Sequence, residues 1–242
     1  MPHSRTRSMR ITERNSRTRS VRATKRRVFV MVVTLLMFII LFACAAMLYN
    51  DGMWSNSIRL INAITAGLLA MNFFEPAADW LEQQMPAYSY FCDFVALWGL
   101  FIIFSMIFRL ITDRLSQVKV KFLKMADQIG SGVLALWVGW VMVCFTMVSL
   151  HTAPLAKNCL FEGFQPEQKM FLGFAPDRQW LGFTQKMSQE TYARSASDAE
   201  WKAEKTIFDP RGEFLPKYAT RRATLEGNVK DRGSLTVSSS GT

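Results

Sequence analysis

Histidine is nearly missing from this chain, which has only His3 close to its start and His151 at the end of an apolar run. No His, Cys and carboxylate set stands at metal-ligand spacing, so zinc chemistry has no sequence support. The four cysteines, Cys44, Cys92, Cys144 and Cys159, show no CxxC spacing, which removes the common redox and zinc motifs. Cys44 and Cys144 fall inside apolar runs and read as small hydrophobes packed among helices. No glycine-rich loop leads into Lys-Ser/Thr, and no Ser or Cys has a His base nearby in the sequence. These absences predict a protein that is not an enzyme and that uses no cofactor and no metal.

Charge is the second shortage, and it is local. Half of the 242 residues are apolar, and the mean hydropathy of +0.10 is too high for an ordinary soluble domain. Val28–Tyr49 and Ile129–Leu150 each run 22 residues without a charge, enough to cross ~30 Å of hydrocarbon at about 1.5 Å per residue. Phe94–Phe108 is also charge-free, and it extends through Arg109 to Ile111 if that side chain snorkels to the interface. Ser55–Phe74 is weaker. It carries Arg59, Asn62 and Asn72, and its charge-free part, Leu60–Phe74, has 15 residues. That length fits an interfacial or tilted helix as well as a full crossing.

The predicted fold is therefore an all-α integral membrane protein, a bundle of three to four transmembrane helices. The helices fall at about 28–49, 55–74, 91–111 and 129–150, within a membrane domain over 28–150. A basic, disordered tail (1–27) precedes it. A polar C-terminal extension follows, extramembrane over 151–219 and disordered over 220–242.

Before Val28 stand ten Lys/Arg against Glu13 alone. Directly ahead of an apolar span, such a block points to anionic lipid head groups rather than nucleic acid. Lys25-Arg26-Arg27 and Ala43-Cys44-Ala45 look like an export signal and its cleavage site. The apolar run continues past them, so an uncleaved anchor is expected. The connection Glu75–Asp93 holds four acids and no Lys or Arg, whereas Arg109–Asp127 holds five Lys/Arg against two acids. By the positive-inside rule the first lies outside and the second in the cytoplasm, which puts residues 151–242 outside. Three crossings, with 55–74 in the outer interface, would satisfy every loop. Four would place the basic tail outside.

In the extension an aromatic pattern recurs as Phe161-Glu-Gly-Phe164, Phe171-Leu-Gly-Phe174 and Trp180-Leu-Gly-Phe183. Aromatic residues resting on helix ends or the membrane surface account for it; a partner-docking surface is the sharper alternative. Charges in or beside the spans are costly and mark candidate sites. Asp93 and Arg109 lie at segment ends where water reaches them. Arg59, inside the weak segment, and Asp127, at the head of the last span, are the candidate functional charges. Ser131, Ala135 and Gly139 repeat at four-residue spacing and form a small-residue face for close helix packing, within the chain or in a homo-oligomer.

From Gly52 to about Leu150 the chain resembles the colicin V production protein family of bacterial inner-membrane proteins. The likeness lies in Gly52 just after the first span, an apolar stretch ending at Phe74-Glu75-Pro76, and a span ending in Arg109. A basic loop follows, and Asp127 leads into a last helix rich in small residues. Two departures stand out. Ser55 occupies the place of an arginine, with Arg59 one turn later, and of three expected glycines in the last helix only Gly139 remains. The resemblance implies a four-helix fold and a role in toxin production or export and envelope homeostasis. The resulting expectation is a non-enzymatic accessory or scaffold in the bacterial inner membrane, with the bilayer and a membrane protein or a second copy as partners. The alternative is a subunit of a small oligomeric transporter or channel, with Arg59 and Asp127 near its mouth.

Overall fold

The computed structural model describes residues 33–115, 123–154, 175–189 and 208–239, with side chains as far as residue 228. The expectations for the tail 1–27, for Cys159 and for the first two aromatic repeats lie outside the described residues. Helices and short 3-10 turns make up the regular structure among the described residues. α1 spans 33–48 and runs through the turn Tyr49–Asp51 to Gly52. α2 is Met53–Gln84, the turn Pro86–Tyr88 follows, and α3 is Ser89–Leu115. α4 is Lys124–Thr152, α5 Pro176–Gln189 and α6 Phe214–Ser239. The first four are long and apolar enough to cross a membrane.

The weak segment of the sequence is the one whose extent changes most. α2 does not stop at Phe74; it continues through Glu75 and Pro76 for 32 residues in all, about 48 Å at 1.5 Å per residue. That exceeds the ~30 Å of a hydrocarbon core, so its last turns, with Glu75, Asp79 and Glu82, form a polar stub beyond the apolar zone. Proline is tolerated there because the lost N–H affects one rung of a long, well-packed helix. Ala66, Leu68, Ala70, Met71 and Phe74 are all buried. Residues 55–74 are thus buried inside the bundle rather than lying on its surface, and belong to one of four helices long and apolar enough to cross a membrane.

α1 lies along α4, with Val33 and Met37 packed with Val143 and Met147. The start of α1 is therefore at the end where α4 finishes. The chain entering α1, the α2–α3 turn and the chain leaving α4 share one face of the bundle, and the basic connection between α3 and α4 leaves from the other. Phe101 stacks on Phe145 with centroids 4.3 Å apart at the centre of the main core.

The extension packs into this core. Trp180 of α5 meets Phe145 edge-on at 6.2 Å and is only 4 % exposed. It fits because residue 67 is glycine: a Cβ there would stand 2.6 Å from the indole. The third aromatic repeat is thus an insertion into the bundle, not a surface decoration, since burying an indole in a prepared slot gains more than leaving it at an interface. The predicted boundary at 219/220 also moves, because α6 runs unbroken from Phe214 to Ser239. Asp209 caps its start, its carboxylate accepting from the N–H groups of Glu213 (2.6 Å) and Phe214 (3.2 Å).

Candidate functional site

At the end where α1 turns into α2, Gly52 has φ 86° and ψ 158°, a region open essentially to glycine alone. This conformation starts α2 abruptly and leaves its first N–H groups without helical partners. Asp127 of α4 supplies one: the Met53 N–H donates to its Oδ1 at 2.9 Å, a charge-assisted bond placed at the positive end of the α2 dipole. The two residues that frame the sequence pattern, Gly52 and Asp127, are therefore in contact; a Cβ on Gly52 would lie 3.4 Å from the Asp127 carboxylate.

One turn into α2, Asn56 is fully buried. Its amide donates to the Leu48 carbonyl (2.8 Å) and to Ser131 Oγ (2.9 Å), while Ser131 Oγ donates to the Tyr49 carbonyl (2.7 Å). The Gln128 amide reaches the Tyr49 hydroxyl at 2.9 Å. Ser131 thus belongs to a polar knot joining the α1–α2 turn to α4. Ala135 is fully buried one turn on, and Gly139 lies against Leu41 of α1, where an added Cβ would meet the Leu41 carbonyl oxygen at 2.9 Å. The small-residue face is occupied by α1 and the head of α2 of the same chain.

Arg59 is ion-paired with Asp51 at this same end, with nearly two-fifths of each side chain exposed. Arg59 and Asp127 do not meet; each holds the α1–α2 turn by a different bond. Beside Arg59 opens a cleft of about 670 Å³ bounded by all four spans. Asn62 donates to Thr112 Oγ1 across it at 3.0 Å, tying α2 to α3.

The opposite end is held by the extension. Arg221 of α6 pairs with Asp93, donates to Glu82 Oε1 at 2.6 Å, and reaches the Ser89 carbonyl at 2.8 Å. Lys217 reaches Glu75 at 3.1 Å. Three of the four acids of the α2–α3 connection, Glu75, Glu82 and Asp93, are thus paired with cations of α6. His151 and Asp177 form a buried pair at 3.2 Å that anchors α5 to the end of α4. Burial by itself would raise the Asp177 carboxyl, but the His151 hydrogen bond and charge, with the Arg178 backbone N–H, hold it below the usual range. Burial pushes the Tyr218 hydroxyl upward. Sequence reasoning missed Asp51, Asp177 and Arg221, and read Asn56 only as part of a polar strip with Arg59 and Asn62, because each acts on a partner that only the fold brings near.

The sequence profile described as colicin V production protein matches residues 33–165, a little over half of the chain. No curated protein and no solved structure matches it. Four antiparallel apolar helices make this a multi-pass membrane protein, and the profile covers all four. The chain belongs to the colicin V production protein family.

Proposed function

We propose that the protein is a non-enzymatic accessory of toxin production or export in the bacterial inner membrane. The observation that carries this reading is the family profile over residues 33–165. The polar groups at both ends support the non-enzymatic part, since they are spent on holding helices. Asp127 is bound to a backbone amide, Arg59 to Asp51, and Arg221 to three acceptors. The test is secretion. A strain lacking the protein and carrying a colicin V-type toxin operon should produce small or no inhibition zones, restored by the wild-type chain. Unchanged extracellular toxin would remove the reading. The cleft beside Arg59 gives the transporter alternative its footing; solute flux in proteoliposomes containing this protein alone would favour it.

The orientation belongs to the same proposal. The extension is extracytoplasmic, because the short connection on its face has no Lys or Arg and the one on the other face has five. The ten cations before Val28 weigh against this order by the same rule, and their chemistry suits anionic head groups. A phosphatase fused after Thr242 should be active, and a cytoplasmic fluorescent reporter there should be dark. The reverse pair overturns the orientation.

A further inference from the structure

At the Gly52 end the four spans do not close on one another. The buried residues of α3 are Cys92, Asp93, Ala96, Leu97 and Phe101; beyond Phe101 none of its residues is buried. The second half of α3 is thus only partly covered, with Phe104 and Phe108 against the core, and it forms one wall of the cleft of about 670 Å³. This size falls within the roughly 300–1,000 Å³ of small-ligand sites.

The cleft is polar at one end and apolar at the other. Its inner part is made by Ala63, Phe101, Val138 and Met142, and its rim by Asp51, Arg59, Arg109 and Asp113. From Phe101 to Asp113 the α3 wall climbs about 18 Å at 1.5 Å per residue. One leaflet contributes ~15 Å of a ~30 Å hydrocarbon core, so the cleft has the depth of a leaflet with its rim at head-group level.

The rim also has a cation to offer. Arg59 is engaged by Asp51. Arg109 is three-quarters exposed, and its Nε stands 3.7 Å from Asp113 Oδ2, too far for a hydrogen bond. That is its one ion pair among the described residues, so its two Nη groups are open to an anion, and a guanidinium fork suits a phosphate bidentately.

We propose that this cleft is a binding site for one anionic phospholipid, its phosphate on Arg109 with Arg59 beside it and one acyl chain lying along α3 to Phe101 and Met142. A free phosphate would use Arg109 and leave the apolar wall empty. A helix of a second copy would cover the wall and bring no anion to the rim. This goes beyond the accessory role and does not depend on it.

Trp54 lines the cleft and serves as the probe. The delipidated full chain in detergent is titrated with phosphatidylglycerol or phosphatidylcholine carrying brominated acyl chains. Quenching specific to Trp54 is taken as the difference between wild type and Trp54→Phe. Phosphatidylglycerol should quench at about fivefold lower concentration, the preference that one cation gives for an anionic surface. Arg109→Gln, at a three-quarters-exposed position, should abolish the preference. Ala63→Leu should weaken quenching by both lipids. Equal quenching by the two lipids in the wild type overturns the proposal. So does displacement of phosphatidylglycerol by millimolar inorganic phosphate, which would mark a free-anion site, or a lipid-free dimer that shields Trp54, which would mark a second copy.

Discussion

Gly139 makes the sharpest test of how the bundle is held. A Cβ at this position would stand 2.9 Å from the Leu41 carbonyl oxygen, 3.0 Å from Leu41 Cδ1 and 3.4 Å from Leu41 Cα. Two of these atoms are backbone, so α1 cannot yield by turning a side chain; the two helices must part. Overpacking of this kind costs about 1–3 kcal/mol, while Gly→Ala in a helix gains about 1 kcal/mol in propensity. The net for Gly139→Ala is a loss of about 0–2 kcal/mol, and Gly139→Leu lies at the upper end or beyond. Gly99 on α3 supplies the control, since nothing lies within 4 Å of an added Cβ. Gly99→Ala should gain up to about 1 kcal/mol, which sets the two alanine variants about 1–3 kcal/mol apart. Reversible unfolding in mixed micelles, followed by far-UV circular dichroism, reads the difference. Equal stability changes for Gly139→Ala and Gly99→Ala would show that the α1–α4 approach is not tight and refute the reasoning.

Three further outcomes follow from the polar contacts. Asp127→Ala removes the acceptor for the Met53 N–H and should cost about 0.5–2 kcal/mol. Asp127→Asn should keep most of the bond and lose only about 0.3–1 kcal/mol of dipole attraction; identical losses in the same unfolding assay would count against the capping role. Arg221→Ala leaves Asp93, whose side chain is 9 % exposed, without its cation. We expect a loss of about 1–3 kcal/mol, below that of a fully buried pair because Arg221 is partly solvated, and faster protease cleavage within 208–228. Unchanged cleavage would separate α6 from this clamp. Asp177 has its carboxyl held low by His151, so its contribution is complete above about pH 3.9 and is lost as pH falls through the lower folded value. Hydrogen-exchange protection of α5 should therefore drop below about pH 4, and Asp177→Asn should show no such drop.

Two of the spans were legible because a 22-residue run without charge has few other readings, and a third because Phe94–Phe108 extends past Arg109 if that side chain snorkels. Ser55–Phe74 misled because Arg59, Asn62 and Asn56 look like a polar strip on a surface helix. Each in fact has a partner within the bundle end: Asp51, Thr112 and Ser131. Nothing local marks those partners, which lie 8, 50 and 75 residues away. Asp127 stood out as a charge, but its role did not, since its partner is a backbone amide exposed only by the unusual conformation of Gly52. α6 was hidden by composition. Residues 220–228 are polar with little to bury alone, and their order comes from contacts of Arg221 with Asp93, Glu82 and Ser89 elsewhere in the fold.

The Arg221–Asp93 contact also imposes an order on assembly. The two residues are 128 positions apart, so at roughly 5–20 residues per second the ribosome takes about 6–26 s to deliver the cation after the acid. During that interval the α2–α3 hairpin is already in the bilayer with its acidic turn uncompensated. Closure by α6 therefore follows insertion of the α2–α3 hairpin, and a chain cut short before residue 221 should leave the translocon with that end of the bundle open to membrane proteases.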